Sequence, residues 1–461
     1  MSGKGSPASD GGGLHDVTIL NGTVVTETRT EVLDLAIDAG IISEIGRAGT
    51  VGAAREEIDA TDLYVLPGAV DAHFHCRAPS HPERGTFGSE TAAAAAGGVT
   101  TVLEMPVSDP PCSTPAVLRS RRALGERECH VDFGLFSGAA VDPSVAQQMV
   151  AAGAIGFKLF THRPPPNRVA EFSGLWADSE DGIYSALETV ALTGLPCTVH
   201  AENQSLIERF ESLPTPDPKS SRPPVIEAAA ISLLGVLSRY TGARVHIAHM
   251  SSGAAVEALV AARTTARLTG ETCPHYMIFN EEQVEQFGSM VKVAPPLRTA
   301  ADNKSLWDAV ATGAVDVIAS DHAPFTPVEK SVSYESAPRG IPGVETMVPV
   351  VLDAVQRGVL TLARAVTALS ANPARIFGLY PKKGALREGS DADVVLWNPT
   401  DENTLSLESF KSRSGGSAIA YDGMVLKGRL RRTLVRGMTV FSDGQVIGNP
   451  VGRFVQPSDR A

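Results

Sequence analysis

Val70-Asp71-Ala72-His73-Phe74-His75 is the stretch from which the fold of this chain can be inferred, because it ends an apolar run with two histidines. Side chains alternate faces along a strand, so His73 and His75 are expected on the same side of the strand end. Two imidazoles placed in this way can hold one metal ion. An isolated pair is more often solvated or part of a core, so the metal interpretation depends on further ligands elsewhere in the chain.

Short apolar strands alternate with helical stretches through the middle of the chain. Examples of the helical stretches are Ser89–Ala96, Ile226–Leu237 and Ala254–Arg263. Eight such units over roughly 300 residues predict an α/β fold, a (β/α)₈ TIM barrel. A doubly wound open sheet is the competing fold, but no GxGxxG motif follows the first strand. The predicted barrel strands are Val70–His75, Thr100–Met105, Val131–Phe136, Ile155–Leu159, Cys197–His200, Val245–His249, Thr269–Cys273 and Val315–Ser320.

Both ends of the chain have the pattern of β structure. Near the start, Asn21-Gly22 separates two apolar runs and predicts a hairpin turn. Near the end, Asp393–Trp397 and Arg432–Gly437 are predicted strands, so one small β-sandwich is expected to form from both ends. The predicted division is a flexible tail at 1–13, sandwich parts at 14–66 and 386–446, the barrel at 67–385, and a C-terminal tail at 447–461.

Composition excludes several classes of function. The chain has 461 residues and a net charge of -12, which argues against a nucleic-acid surface. No apolar run reaches about 18 residues, so we expect no membrane span. Five scattered cysteines without a CxxC pair predict reduced thiols and a cytoplasmic location.

Most of the remaining candidate ligands stand at the ends of predicted barrel strands, where this fold carries its reactive groups. Histidines and a carboxylate in these places suit a zinc-like ion. Lys158 is either a lysine reaching the barrel rim or, after reaction with CO₂, a carbamate able to bridge two metals. His246, three residues before His249, is predicted to face the opposite side of its strand. The candidates after the first pair are Lys158, His200, His249 and Asp321.

These residues and the blocks around them resemble the cyclic amidohydrolases, a group of hydantoinases (dihydropyrimidinases), allantoinases and dihydroorotases. The resemblance extends from about Asp16 to Phe454. It is carried by the blocks DAHFH, AAAAAGGVTTVLEMP, GFKLF, VHAEN, HIAHMSS, ETCPHY, VAPPLR, VIASDHAPF, IPGVET, ANPARIFGL and GSDADVVLW.

The resemblance implies a homo-oligomeric enzyme, dimer or tetramer, that opens the ring amide of a small cyclic ureide or imide with a metal-bound hydroxide. Asp321 is implied as general acid and base. Two divalent metal ions, zinc or alternatively manganese, are implied, bridged by carboxylated Lys158. The implied ligands are His73, His75, Lys158, His200, His249 and Asp321.

The residues that would identify the subfamily resemble different members of this group. Arg77 is similar to the arginine of dihydroorotases that holds the substrate carboxylate, but Val107 and Phe325 replace the two other carboxylate-binding groups of that pattern. The apolar Phe325 resembles the residue at this position in hydantoinases. The stretches Ser80–Phe87 and Asn303–Trp307 resemble the corresponding stretches of allantoinases. We therefore expect an allantoinase or hydantoinase type of activity. The alternatives are a dihydroorotase acting on dihydroorotate and a catalytically silent binding protein with the same fold.

Further substrate contacts are implied by the same resemblance. Arg163 stands where hydantoinases carry an oxyanion-stabilising tyrosine, and Arg163 or His162 is expected to replace it. Groups near Ala294 and around Arg339 and Gly340 are expected to hold the ring amide.

Overall fold

The computed structural model describes residues 14–213 and 222–457, so the predicted tail at 1–13 lies outside the described residues. The described chain begins with strands that belong to one mixed sheet. They are β1 (His15–Val25), β2 (Thr30–Asp38), β3 (Ile41–Arg47), β4 (Ala54–Asp59) and β5 (Tyr64–Pro67).

Eight parallel strands follow and form the barrel, each hydrogen-bonded to the next in chain order. A β-bridge between Phe74 and His322 joins the first barrel strand to the segment that follows the last one. Every predicted strand is present and the predicted barrel is confirmed, although the strand ends differ by a few residues. The strands are β6 (Ala69–Phe74), β7 (Val99–Glu104), β8 (Asp132–Gly138), β9 (Gly156–Phe160), β10 (Pro196–His200), β11 (Arg244–Ile247), β12 (Leu268–Thr272) and β13 (Val317–Ile318).

The last strands return to the first sheet, whose order is β17-β16-β15-β14-β5-β1-β2-β3, with β4 beside β1. Antiparallel pairing of β5 with β14 joins the two ends of the chain, so the sheet forms from both ends as predicted. The added strands are β14 (Val394–Thr404), β15 (Val425–Val435), β16 (Met438–Ser442) and β17 (Gln445–Val446).

Helices surround the barrel, and the three helical stretches predicted from the sequence fall within α1, α6 and α7 of the following series. The α-helices are α1 (Phe87–Ala96), α2 (Pro115–Glu128), α3 (Pro143–Ala151), α4 (Glu180–Ala191), α5 (Gln204–Glu211), α6 (Val225–Thr241), α7 (Gly253–Arg263), α8 (Pro274–Ile278), α9 (Glu281–Phe287), α10 (Ala300–Thr312), α11 (Pro327–Lys330), α12 (Met347–Gln356), α13 (Leu362–Val366) and α14 (Asn372–Ile376). Among the described residues, no helix combines the length and apolar character that crossing a membrane requires.

The predicted hairpin turn at Asn21-Gly22 is wrong. Strand β1 continues through both residues, and its register against β2 shifts there in a β-bulge. Asn21 adopts a φ of 61° and its backbone N–H donates to Asp34 at 2.7 Å. Gly22 packs against Val65, where a Cβ would clash. The Asn-Gly pair therefore bends one strand and does not reverse the chain.

The described part of the predicted C-terminal tail, up to Pro457, packs against the barrel. Phe454 pairs with Phe133 of β8, and the two rings lie 5.6 Å apart. The backbone N–H of Arg453 donates to Asp132 at 2.7 Å.

Candidate metal centre

The carboxyl ends of the barrel strands open into one cavity of about 870 Å³. Enzymes with this fold carry their reactive groups at these strand ends. All but one of the side chains predicted for the site line this cavity. They are the six predicted metal ligands, His73, His75, Lys158, His200, His249 and Asp321, and five predicted substrate contacts, Arg77, Ala294, Phe325, Arg339 and Gly340.

Three of the ligands form a first group. Nε2 of His73 lies 3.5 Å and Nε2 of His75 lies 3.7 Å from Oδ1 of Asp321, and all three side chains are buried. The histidines come from the end of β6, whereas Asp321 follows β13. Burial lowers the pKa of His73 to about 4 and the pKa of His75 well below its ordinary value. Both rings are therefore neutral at neutral pH, which is the form that binds metal ions.

His200 and His249 form a second group, with Nδ1 of His200 at 3.1 Å from Nε2 of His249. Nε2 of His200 donates to Glu202 at 2.7 Å, so its Nδ1 carries a lone pair directed at His249. Arg222 donates to the same carboxylate at 2.7 Å. Although burial opposes it, Arg222 and His200 hold the pKa of Glu202 well below its ordinary value. Glu202 is therefore a fixed anion that orients His200.

Lys158 lies beside the first group. It is fully buried on β9, and its Nζ is 3.3 Å from Nε2 of His73. Burial lowers the pKa of Lys158 to about 8. Its charge also adds to the effect of burial in lowering the pKa values of His200 and His249, so it is electrostatically close to the second group as well. Among the described residues, Lys158 forms no ion pair with a carboxylate within 4.0 Å, which is unusual for a lysine at this depth.

The donor set fits two divalent cations. Neutral imidazoles and a carboxylate are ligands that zinc and manganese accept. Nδ1 of His200 and Nε2 of His249 lie close enough for one cation to take both rings as ligands. Lys158 adjoins the first group and interacts electrostatically with the second.

Glu271 on β12 has a positioning role that the sequence reasoning missed. Its carboxylate accepts a hydrogen bond from Nδ1 of His73 at 2.5 Å and another from Nε2 of His246 at 3.1 Å. This fixes the tautomer of His73 and leaves its Nε2 free for a metal. The signal was an acidic residue within a predicted buried strand, in the block ETCPHY.

His246 does not face away from the centre, as strict alternation along the strand predicted. It is fully buried and shares the carboxylate of Glu271 with His73. Strand β11 ends at Ile247, and His249 has a φ of 34°, so the backbone turns between the two histidines. Alternation fails at this point because the chain is no longer a strand.

Arg77 lies in the cavity wall with an unmatched charge. Its Nε and Nη1 are buried and have no hydrogen-bond partner among the described residues. Its guanidinium carbon is 5.2 Å from the ring centroid of Phe325. Burial, reinforced by the charge of Arg168, lowers the pKa of Arg77 to about 9. A φ of 60° adds backbone strain, which is tolerated where a residue is functional.

Two further arginines approach the Phe325 ring, but both are already paired. Arg84 forms an ion pair with Glu329 at 2.7 Å, and Arg168 forms one with Glu171 at 2.6 Å. Among the described residues, Arg77 differs from these neighbours in forming no direct ion pair, although Glu171 and Asp321 favour its charged form. A bound molecule that presents an oxygen acceptor can match this charge.

The expectation for Arg163 needs correction, because the structure places this side chain outside the cavity. It is 59% exposed, and its guanidinium pairs with Asp178 at 2.5 Å and Glu208 at 2.9 Å. These acidic side chains attract it away from the site. The alternative, His162, lines the cavity, with its Nδ1 donating to the Arg163 carbonyl oxygen at 2.7 Å.

Comparison with known proteins agrees with this geometry. The model of the amidohydrolase family matches residues 64–440. An allantoinase from Rubrobacter xylanophilus is 37% identical over 96% of this chain and 98% of its own length. An allantoinase from Escherichia coli is 30% identical over 95% of this chain and 98% of its own length.

Solved structures of related enzymes are similar to this chain over nearly its whole length. The L-hydantoinase (dihydropyrimidinase) from Arthrobacter aurescens superposes with a TM-score of 0.89 at 29% identity, covering 96% of this chain and 100% of that chain. A dihydropyrimidinase from Brevibacillus agri gives a TM-score of 0.86 at 28% identity, covering 96% of this chain and 99% of that chain.

Proposed function

Because this chain belongs to the amidohydrolase family, we propose that its substrate is allantoin, whose ring it opens at an amide bond. The general activity follows from the relatives, and the chain is a hydrolase of cyclic amides. One observation carries the finer proposal. A set of six converging ligands lines the cavity of a chain that aligns with allantoinases over nearly its whole length.

The proposed cofactor is a pair of divalent ions, zinc or alternatively manganese. His73, His75 and Asp321 would hold one ion, His200 and His249 the other, and Lys158, as a carbamate, would be shared. When bound, the ions would polarise the ring carbonyl and make water a stronger nucleophile at neutral pH. The two ligand groups and the buried, unpaired Lys158 between them support this assignment.

Asp321 is the proposed general acid and base. Its side chain is close to both histidines of the first group and retains access to the cavity, with 8% of the residue exposed. It accepts the proton of the attacking water and donates it to the ring nitrogen that leaves, so one carboxylate serves both halves of the hydrolysis. Glu271 holds His73 in the tautomer whose unprotonated Nε2 faces Asp321.

Two properties of the whole protein are part of the same proposal. We place it in the cytoplasm, because all five cysteines are buried and free. We also expect a dimer or tetramer, since α6 exposes Val236 (55%) and Tyr240 (74%) to solvent. A mass above that of one chain in light scattering would support assembly, and a monomer would contradict it.

The substrate proposal is tested by ring opening with the zinc- or manganese-loaded protein. The panel contains allantoin, a 5-substituted hydantoin, dihydrouracil and dihydroorotate. We expect the highest kcat/KM for allantoin. A preference for dihydroorotate would contradict the proposal. Bound metal without turnover of any ring would instead favour a silent binding protein.

Arg77 favours one second candidate, a dihydroorotase, because its unmatched guanidinium would suit a substrate carboxylate. The variant Arg77→Met separates the two functions. If allantoin is the substrate, the loss in kcat/KM should stay within about tenfold, since a neutral acceptor contributes less than a charged one. A loss of about a thousandfold confined to dihydroorotate would support the second candidate. Arg163→Met, which alters an arginine outside the cavity, is the matched control and should change neither substrate.

A further inference from the structure

Lys330 is a buried lysine whose charge is met by backbone oxygens alone. It ends the short helix α11 and is fully buried. Its Nζ donates to the carbonyl oxygens of Lys292 at 2.9 Å, Pro338 at 3.0 Å and Gly340 at 2.9 Å. An ammonium has three N–H groups, so each donor has one acceptor. None of the ion pairs among the described residues includes Lys330. The desolvation cost of burying its charge is therefore offset by these three hydrogen bonds alone.

The three carbonyls belong to two separate segments of the cavity wall. Lys292 leads to Ala294, and Pro338 leads to Gly340, and all four residues line the cavity. The two segments also touch directly, because the Gly340 N–H donates to the Lys292 carbonyl at 2.9 Å. Lys330 therefore joins two pieces of backbone that are distant in sequence.

Gly340 brings this backbone against the loop that carries Asp321. Its φ is +143°, and a Cβ at this position would lie 2.6 Å from Cβ of Ala323 and 3.1 Å from the ring of Phe325. There is no room for the wall to move inward. The distance between this part of the wall and the proposed metal ligands therefore depends on the contacts that keep the wall from moving outward.

The segment 331–340, which we call the wall loop, has mostly local backbone hydrogen bonds, such as those from the Ser336 and Ala337 N–H groups to the Ser333 carbonyl oxygen. It contains no helix or strand. Lys292 provides a second anchor, since its Nζ donates to the carbonyls of Tyr334 at 2.5 Å and Glu335 at 2.9 Å. Two ammonium groups therefore hold the wall loop, and that of Lys330 binds Pro338 and Gly340, the part that also donates to the Lys292 carbonyl oxygen through the Gly340 N–H.

We propose that Lys330 is a positioning residue for substrate binding, whose ammonium holds the wall loop and the Lys292–Ala294 segment at the spacing that a small ring requires. The identity of that ring rests on the proposed function. Lys330 touches no metal ligand in this arrangement and acts only through the backbone it holds. Its removal should therefore weaken substrate binding more than it slows the chemical step.

The test compares Lys330→Met with wild type in the metal-loaded protein. We expect KM for allantoin to rise about tenfold or more while kcat changes less than about threefold. Lys304→Met, which alters an exposed lysine of α10, is the control and should leave KM unchanged. A fall in kcat with an unchanged KM would indicate a smaller active fraction and would overturn the proposal.

Hydrogen–deuterium exchange tests the same proposal without any substrate. Peptides covering 331–340 should exchange faster in Lys330→Met than in wild type, whereas peptides of the barrel strands should not change. Equal exchange in the wall loop would overturn the proposal even if allantoin is the substrate. Faster exchange would support it even if allantoin is not opened.

A smaller variant covers the case in which Lys330→Met does not fold. Lys330→Ala leaves a space that propylammonium can enter, and we expect this ion to restore slow exchange in the wall loop. Propanol, similar in size but uncharged, should not restore it. Equal rescue by both would show that packing and not the ammonium holds the loop.

Discussion

The orientation of the proposed metal ligands depends on side chains that would not themselves bind a metal. Glu202 orients His200, and Glu271 orients His73 while also accepting a hydrogen bond from His246. Each carboxylate decides which ring nitrogen carries the proton and therefore which one can bind an ion. Both acids are fully buried; Arg222 pairs with Glu202, and the backbone N–H of His249 donates to Glu271 at 3.3 Å.

Replacing Glu271 should weaken metal binding without emptying the cavity of its ligands. In Glu271→Gln the amide cannot accept from both histidines as a carboxylate does, so we expect zinc affinity to fall by about 10–100-fold. Competition with a chelator of known affinity measures this. Glu257→Gln, an exposed acid on α7, should bind zinc like wild type. If Glu271→Gln also does so, Glu271 has no part in orienting His73.

Most of the proposed ligands stand at or just after a strand end, a position that the sequence pattern indicates, whereas Lys158 is the third residue of β9. Their supporting residues could not be predicted, since the hydrogen bond between His73 and Glu271 joins two strands, β6 and β12, that are not adjacent in the barrel. The outward direction of Arg163 was equally hidden, because it depends on the positions of Asp178 and Glu208 in other segments.

At the level of elements, one connection of the mixed sheet is tied to the barrel mouth. This segment, 411–414, meets the carboxylates of Glu90, which is fully buried, and Glu345, which is half-buried. Glu345 accepts from the backbone N–H groups of Lys411 at 2.9 Å and Ser412 at 3.1 Å. Glu90 accepts from the backbone N–H of Arg413 at 3.0 Å. The segment thereby supports the loop that carries Arg84, because the Ser414 hydroxyl donates to the Arg84 carbonyl at 2.6 Å.

Glu345 should make stability depend on pH. Burial raises its pKa from 4.5 to about 8, so between these values folding takes up a proton. The contribution of Glu345 to the free energy of unfolding therefore falls as the pH rises from about 4.5 to about 8, and it is constant above that range. Glu345→Gln mimics the protonated acid, so its midpoint of thermal unfolding should fall by several degrees less than that of wild type between pH 5 and 8. Parallel curves for the two proteins would show that Glu345 is ionised when folded.

Elements were predicted best where one periodicity continues over many residues, as in the barrel strands and α6. The Asn21-Gly22 prediction failed because the same dipeptide serves a hairpin turn or a bulge, and the choice was made by contacts with Asp34 and Val65. Local sequence contains the preference of Asn21 for positive φ but not the strand that lies beside it.

For the whole molecule, a buried charge cluster joins the barrel to the mixed sheet. The Lys383 ammonium binds Asp391 at 2.9 Å, Asp393 at 2.8 Å and also Asp132, which begins β8. Arg436 pairs with Asp132 from the other side. Asp391 and Asp393 precede β14, and Arg436 follows β15, both strands of the sheet. The position of the barrel relative to the sheet therefore depends on charges that are shielded from water.

Removal of Lys383 should be strongly destabilising. Lys383→Met leaves buried carboxylates without their main counterion, which costs about 3–5 kcal/mol of unfolding free energy. Urea unfolding at pH 7 measures the loss. Lys382→Met changes the neighbouring exposed lysine and should shift the midpoint little. A similar small shift for Lys383→Met would mean that the cluster does not hold the two parts together.

The central proposal is that a two-ion centre, assembled from six side chains, opens the ring of allantoin. Titrating zinc or manganese into metal-free protein while following allantoin ring opening tests this most directly. We predict that activity rises to a plateau at two ions per chain and that Lys158→Ala never reaches it. Full activity at one ion, activity without metal, or an unimpaired Lys158→Ala would contradict the account.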